Sequence, residues 1–94
     1  MIEVYQAEWC PFSSIVRERL NELDVPFVCR PVPAQRTERT ALKELSGDVT
    51  IPVVVFEDGE VLGGDTKEIL AVLDERYPEP PGAEAHRQAL AAHQ

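Results

Sequence analysis

The sequence predicts an α/β fold in which one four-stranded mixed β-sheet carries helices on both faces. Two observations predict it. Short runs rich in branched apolar residues alternate with segments whose apolar residues recur at helical spacing, and proline and glycine separate these segments. The resulting order is β-α-β-α-β-β-α. A helical crossover joins parallel strands and a tight hairpin joins antiparallel ones, so this order gives a mixed sheet.

The first βαβ unit occupies residues 2–32. Ile2 and Val4 mark a strand over residues 2–6, and residues 27–32 form the second strand. Between them we expect a helix that starts near Pro11, where the missing N–H is no loss, and ends near Asp24. Its apolar residues recur at helical spacing: Phe12, Ile15, Val16, Leu20 and Leu23.

The remaining elements follow in residues 35–76. A helix over about 35–46 ends at Gly47, with Ala41, Leu42 and Leu45 facing inward. Residues 51–56 form the most strand-like run, and residues 57–60 turn it back into a short strand at 61–62. Gly63 and Gly64 end that strand. The third helix, residues 65–76, turns four apolar residues inward: Ile69, Leu70, Val72 and Leu73.

The pattern divides the chain into a domain over residues 1–78 and an appended segment over residues 79–94. That segment is a proline-rich linker followed by an alanine-rich stretch, residues 83–93, in which Leu90 is the one large apolar residue. Two outcomes stay open for this stretch: a marginal helix docked on the domain, or a frayed end.

Composition and charge narrow the class of partner. The net charge of -8, from 9 basic and 17 acidic residues, argues against nucleic acid and anionic membranes, which require neutralising Lys and Arg. No apolar run reaches the roughly 18 residues of a membrane span, and no signal peptide is visible, so we expect a cytoplasmic protein. The two cysteines should be reduced there. With His86 and His93 they match no compact zinc site, and no metal is expected.

Cys10 is the candidate nucleophile, because the segment Cys10-Pro11-Phe12-Ser13 falls where a strand ends and a helix begins. There the first-turn N–H groups and the positive end of the helix dipole stabilise a thiolate and lower the pKa of the thiol. The alternative is that Cys10 is a small buried apolar residue with no chemical role.

Ser13 stands where a Cys-x-x-Cys pair has its resolving thiol. A hydroxyl forms no disulfide, so the site should act with one thiol, and a second molecule must supply the resolving thiol. The Ser13 hydroxyl can still donate a hydrogen bond toward the Cys10 sulfur. Its alternative role is that of an ordinary residue of the first helical turn.

Three motifs in order, Cys10-Pro11-Phe12-Ser13, Thr50-Ile51-Pro52 and Gly63-Gly64-Asp65-Thr66, give the chain a family resemblance. Over about residues 1–78 it resembles the glutaredoxins and the N-terminal domain of glutathione S-transferases, which share the thioredoxin-like fold. Residues 73–80 also resemble the transferase exit into a helical domain.

The resemblance implies a glutathione groove beside Cys10, with Pro11 and Phe12 on its rim. It implies a cis bond at Pro52, and backbone groups of Ile51 that hold the cysteinyl part of glutathione. Asp65 and Thr66 would hold the γ-glutamyl end. Each pair has a plainer interpretation: Ile51-Pro52 as a strand start, and Asp65-Thr66 as a helix cap.

The sequence departs from the glutaredoxin pattern in three places. Ala7 stands where the family often has a lysine, so one support for the thiolate is missing. Ser13 replaces the resolving cysteine. Pro11 replaces the glycine of the branch that binds iron–sulfur clusters, which argues against a bridging cluster.

Four further residues have weaker assignments. Arg36 and Arg39 lie near the place where the superfamily binds the glycyl carboxylate, but on so polar a helix we expect them to be solvated. Cys29 should be a packed thiol in the second strand. Trp9, together with Phe12, lines either the groove or the core.

Taken together, the residues and the resemblance favour a monothiol glutaredoxin-like oxidoreductase. Cys10 would act on mixed disulfides of glutathione or a similar small thiol, which serves as co-substrate. The other partner would be a disulfide-containing protein or small molecule, and the chain would be a monomer or weak dimer. Two alternatives stay open: a stand-alone transferase-like domain, and a non-enzymatic module that binds a thiol, a protein or an iron–sulfur cluster.

Overall fold

The computed structural model describes residues 1–92, and its fold is the predicted thioredoxin-like one. A four-stranded mixed sheet carries helices on both faces. The strands are β1 Ile2–Gln6, β2 Phe27–Pro31, β3 Val53–Val55 and β4 Val61–Gly63. The helices are α1 Pro11–Glu22, α2 Thr40–Ser46, α3 Thr66–Arg76 and α4 Ala83–Ala92, with a 3-10 turn at Arg36–Glu38.

The sheet order is β2-β1-β3-β4, which makes β1 and β3 the central strands. β1 pairs in parallel with β2, with Val4 opposite Cys29, and antiparallel with β3, with Val4 opposite Val54. β3 and β4 form the predicted antiparallel hairpin. Since α1 follows β1 directly, its N-terminus lies at the carboxyl end of a central strand, beside the loop that leads into β3.

The two faces of the sheet bury different residues. α1 and α3 cover one face, where Val16, Leu20, Ile69 and Leu73 pack against Val54. α2 covers the other face, where Leu42 packs with Val53 and Ile51, and Cys10 belongs to this second cluster. The alternation of β3 explains the division, because successive side chains of a strand point to opposite faces.

The α2 region departs from its prediction. The helix begins at Thr40, not near residue 35, because Arg39 adopts φ -86 and ψ 48 and separates the 3-10 turn from α2. Of the three residues expected to face inward, Leu42 alone is buried, while Ala41 and Leu45 are exposed. A helix this short has one row of side chains against the sheet.

Smaller differences occur at the ends of other elements. β3 begins at Val53, since Pro52 has no N–H to donate to a sheet ladder. Asp65 is the N-cap of α3 and accepts a hydrogen bond from the Lys67 N–H at 3.0 Å. In α1, Ile15 is 41% exposed although its spacing suggested an inward position.

The C-terminal stretch is helical through Ala92, and α4 lies against α1. Leu90 is half-buried and Ala83 is buried, which favours the docked outcome for the described part. His93, the last residue of the predicted stretch, lies outside the described residues. Within residues 1–92 no helix has the length and apolarity needed to cross a membrane.

Candidate active site

Cys10 is the N-cap of α1, with φ -81 and ψ 117. Its N–H donates to the Ala7 carbonyl at 3.1 Å, and its carbonyl accepts from the Ser14 N–H at 3.1 Å. Pro11 fills the first helical position. The backbone of Cys10 is therefore fixed on both sides, and its side chain lies at the end of the helix where N–H groups are unpaired.

The pKa of the Cys10 thiol is below its ordinary value. Burial raises this pKa, but the Ser13 hydroxyl and the backbone N–H groups of Ser13 and Phe12 favour the thiolate, as does the charge of Arg17. Together these donors outweigh the desolvation, so the thiolate is the favoured form at a lower pH than for a free thiol.

The Ser13 hydroxyl lies beneath this thiol. Ser13 is fully buried, and its Oγ has no hydrogen-bond partner among residues 1–92. Its closeness nevertheless lowers the pKa of Cys10. The charge of the Cys10 sulfur accounts for both observations. A neutral thiol is a weak acceptor, whereas a thiolate gives the buried hydroxyl a strong one.

Arg17 supplies a charge that sequence analysis missed. It lies seven residues after Cys10, two helical turns along the same face, and that spacing was the available signal. The guanidinium donates to the buried Gln6 side chain and forms an ion pair with Glu8 at 3.7 Å. Arg17 thus provides part of the electrostatic support that Ala7 cannot give, although its effect on the pKa is smaller than that of the hydrogen bonds.

A groove runs past Cys10 as two adjoining cavities of about 320 Å³ each. The first is lined by Trp9, Cys10, Pro11, Phe12, Ala34, Arg36, Arg39, Thr50 and Ile51. The second is lined by Phe12, Thr50, Ile51, Gly64, Asp65, Thr66 and Lys67. Phe12, Thr50 and Ile51 belong to both, so they form the ridge between the two halves.

The groove brings together most of the predicted site. Cys10, Pro11, Phe12 and Ile51 border the first cavity, and Asp65 and Thr66 lie in the second. Ser13 lies behind Cys10, and the Ile51–Pro52 bond is cis, as the resemblance implies. Pro52 is buried and lines neither cavity.

Trp9 and Phe12 belong to the groove and not to the core. They are 65% and 56% exposed, respectively, and both line the first cavity. A larger cavity of about 460 Å³ lies elsewhere, between Met1, Asp24 and Phe27. No thiol lines it, so cavity size does not mark the reactive part of the molecule.

The expectation that both arginines are solvated is wrong for Arg39. Arg36 is exposed at the mouth of the first cavity, but Arg39 is 4% exposed. Its guanidinium donates to three backbone carbonyls, those of Pro33, Ala34 and Val49. These bonds explain why so polar a side chain is buried.

The expectation that Cys29 is packed is also wrong. Cys29 is exposed, because β2 is an edge strand of the sheet. Its pKa is raised, chiefly by desolvation of the sulfur, with Arg17 opposing and Glu8 adding to the effect. The two thiols therefore differ in the direction in which their surroundings move the pKa.

Metal ligands do not cluster in the described part of the chain: residues 1–92 hold no group of three or more His, Cys, Asp or Glu side chains suited to a metal ion.

Comparisons with known proteins found relatives by sequence and by fold. The sequence model of the family described as "Glutathione S-transferase, N-terminal domain" matches residues 4–81. The chain is 35% identical over 72 residues to "Glutathione S-transferase DHAR3, chloroplastic" of Arabidopsis thaliana. That alignment covers 77% of this chain and 27% of the relative.

Solved structures share the fold. A diazinon-metabolizing glutathione S-transferase from the silkworm, Bombyx mori, superposes with a TM-score of 0.73 at 26% identity, covering 83% of this chain and 39% of that one. Glutaredoxin 2 from Salmonella typhimurium, in complex with glutathione, superposes with a TM-score of 0.73 at 18% identity, covering 85% and 35%. The chain thus spans between a quarter and two-fifths of the length of these proteins.

Proposed function

Since the chain belongs to the family of glutathione S-transferase N-terminal domains, we propose that it is a monothiol, glutathione-dependent thiol–disulfide oxidoreductase with Cys10 as its nucleophile. One observation carries the proposal: a thiol with a lowered pKa caps α1 and opens on the groove that Ile51 borders. Glutathione as the small thiol is supported by relatives named for it, one of which was solved with glutathione bound.

Glutathione would lie along the groove with its thiol at Cys10. Its γ-glutamyl end would lie in the second cavity, where the Asp65 carboxylate faces the ammonium group and Thr66 faces the carboxylate. The backbone of Ile51, on the ridge, would pair with the cysteinyl residue. Arg36, at the mouth of the first cavity, would meet the glycyl carboxylate.

The proposed reaction balances without another cofactor. The Cys10 thiolate attacks the glutathione sulfur of a mixed disulfide. A bond from Cys10 to glutathione forms, and the substrate leaves as a thiolate that takes a proton from water. A second glutathione thiolate then attacks the glutathione sulfur on Cys10. This step yields oxidised glutathione and restores the Cys10 thiolate. In the net reaction one disulfide replaces another: the incoming glutathione sulfur is oxidised as the substrate sulfur is reduced.

The test is the mass of the intact protein after incubation with oxidised glutathione. We expect one glutathione adduct on the parent protein and on Cys29→Ser, and none on Cys10→Ser. Reduced glutathione should remove the adduct, and the parent should turn over a glutathionylated peptide. An adduct carried by Cys29, or no adduct at all, would refute the proposal.

The family match favours a second candidate, a transferase-like domain that activates the glutathione thiol for attack on an electrophile. Ser13 or Cys10 would then stabilise the glutathione thiolate, and the product would be a thioether. An assay with an aryl halide separates the candidates: thioether formation without a Cys10 adduct supports the transferase. Glutathione binding with neither reaction supports a non-enzymatic binding module.

A further inference from the structure

Arg39 is a buried cation with no carboxylate partner in the described part of the chain. It is 4% exposed, and its hydrogen bonds go to carbonyl oxygens alone. Burying a guanidinium costs free energy, and uncharged acceptors offset that cost only in part. Most arginines in small domains therefore remain at the surface. The buried position of Arg39 therefore indicates a structural role for its guanidinium.

The three carbonyls belong to two different loops. Arg39 Nε donates to the Pro33 carbonyl at 2.7 Å and Nη2 to the Ala34 carbonyl at 3.2 Å, both in the loop that leaves β2. Nη1 donates to the Val49 carbonyl at 2.8 Å, in the loop that leads to Ile51. One planar group therefore ties the two loops together.

Both loops line the first cavity. Ala34 and Arg36 line it from one loop, Thr50 and Ile51 line it from the other, and Arg39 itself lies between them. The backbone of Arg39 also starts α2, because its carbonyl accepts from the Lys43 N–H at 3.0 Å. A single residue thus fixes the helix start and both loops.

We infer that Arg39 is a positioning residue that sets the width of the Cys10 cavity and the place of the Ile51 backbone, and so governs how tightly a small thiol is held. The inference rests on the proposed function for its effect on catalysis. We expect Arg39 to affect the affinity for the small thiol and not the pKa of Cys10, because the groups that lower this pKa all lie on α1 and do not include Arg39.

Arg39→Lys is the informative variant. Lysine keeps the charge but has a point-like ammonium group, which cannot span the Pro33, Ala34 and Val49 carbonyls as a planar fork does. Arg39→Met removes the charge as well. Arg30→Lys is the matched control, since Arg30 is exposed on β2, pairs with Glu3 and lies outside the groove.

The first measurement is amide hydrogen exchange without ligand. In Arg39→Lys we expect exchange at the hydrogen-bonded amides of the two loops, Glu38 in one and Val49 in the other, to quicken together by about tenfold, as for the loss of one or two charge-assisted hydrogen bonds. The β3–β4 hairpin and Arg30→Lys should exchange like the parent. Unchanged exchange in both loops would overturn the inference, whatever the protein's activity.

The second measurement is kinetic. Arg39→Lys should raise KM for glutathione about tenfold, while the pH profile of Cys10 alkylation by neutral iodoacetamide stays that of the parent. Parent-like KM in Arg39→Lys with a raised KM in Arg39→Met would mean that charge alone matters, and would overturn the positioning role. A parent protein that forms no glutathione adduct would refute the proposed function and leave the exchange result to decide the inference.

Discussion

At the scale of single residues, the two cysteines present opposite electrostatic environments within one small domain. Cys10 has donors aimed at its sulfur from the first turn of α1, and these outweigh the burial that raises its pKa. Cys29, on the edge strand, has desolvation and Glu8 raising its pKa against Arg17. Chemistry at one thiol can therefore be measured with the other as an internal reference.

The pH dependence of alkylation follows from these directions. The thiolate is the reactive form, so a lowered pKa moves the rise in rate to lower pH, and a raised pKa moves it to higher pH. Cys10, measured in Cys29→Ser, should reach its half-maximal rate with iodoacetamide below the ordinary thiol pKa of about 8.5. Cys29, measured in Cys10→Ser, should reach it above. Coincident or reversed profiles would contradict the account of the site.

Ser13 should act on the thiolate and not on the thiol. Ser13→Ala removes a buried hydroxyl that lowers the pKa of Cys10 and has no hydrogen-bond partner within residues 1–92. We expect the Cys10 pKa to rise and the alkylation rate near pH 6 to fall about threefold to tenfold, while the rate at high pH stays close to the parent's. Ser14→Ala, one position along α1, is the control. A rate loss that is equal at all pH values would instead indicate a disturbed backbone.

At the scale of elements, α4 is held mainly by charge. Arg87 on α4 forms ion pairs with Glu79 at 2.7 Å, Glu84 at 2.7 Å and Glu22 of α1 at 3.3 Å. Arg87 lowers the pKa of Glu79 and of Glu84, chiefly through its side-chain hydrogen bonds. Apolar contact is slight, since Leu90 is half-buried and Ala83 is the one buried residue of the helix.

Arg87→Met should therefore loosen α4 without unfolding the domain. Amide exchange across residues 84–92 should quicken, whereas the midpoint of global unfolding should move little, because exposed ion pairs add little to stability. Gln88→Met, the next residue on the helix, is the control. Exchange in α4 that matches the parent's would show that the apolar contacts suffice.

Low pH should loosen α4 in the parent protein, as Arg87→Met does at neutral pH. A carboxylate with a depressed pKa stabilises the folded contact above its ordinary pKa, and this contribution is lost as the pH falls through the lowered value. We expect α4 exchange to be steady, after correction for intrinsic rates, above about pH 5 and to quicken below about pH 4.

The division of the chain at residue 78 stays a prediction.

The spacing of apolar residues predicted which side chains are buried in the longer helices. Val16 and Leu20 on α1, and Ile69 and Leu73 on α3, are buried as their helical spacing predicts. It failed where distant contacts decide. Arg39 was expected to be solvated, but its guanidinium is buried and donates to the Val49 carbonyl, ten residues away. Cys29 is exposed because β2 lies at the edge of the sheet, a position that the pattern of apolar residues in β2 does not predict.

At the scale of the whole molecule, the net charge of -8 is unevenly distributed, because the two cavities beside Cys10 are lined by three basic residues and one acidic residue. Of the nine basic residues, Arg17, Arg19, Arg30, Arg76 and Arg87 form ion pairs with carboxylates. Within the described part of the chain, Arg36, Arg39, Lys43 and Lys67 form none, and three of these four line the two cavities beside Cys10. These three cations face one carboxylate in the cavity linings, that of Asp65, so the linings carry more positive than negative side chains.

Two alkylating agents of nearly equal size test this charge distribution. Iodoacetate is anionic and iodoacetamide is neutral, so the ratio of their rates reports the local potential and not the thiolate fraction. At low salt we expect this ratio to be about threefold higher at Cys10 than at Cys29, since each fixed cation about 8 Å from an anionic reagent contributes about 0.5 kcal/mol at the dielectric constant of water. This ratio should approach the same value at both cysteines near 1 M salt, where the screening length is about 3 Å.

Lys67→Gln should lower the ratio at Cys10 and leave the iodoacetamide rate unchanged, whereas Lys43→Gln, outside both cavities, should have the smaller effect. Equal ratios at the two cysteines at low salt would mean that the overall negative charge dominates the groove, and an anionic thiol would then have to bind against the field of the protein.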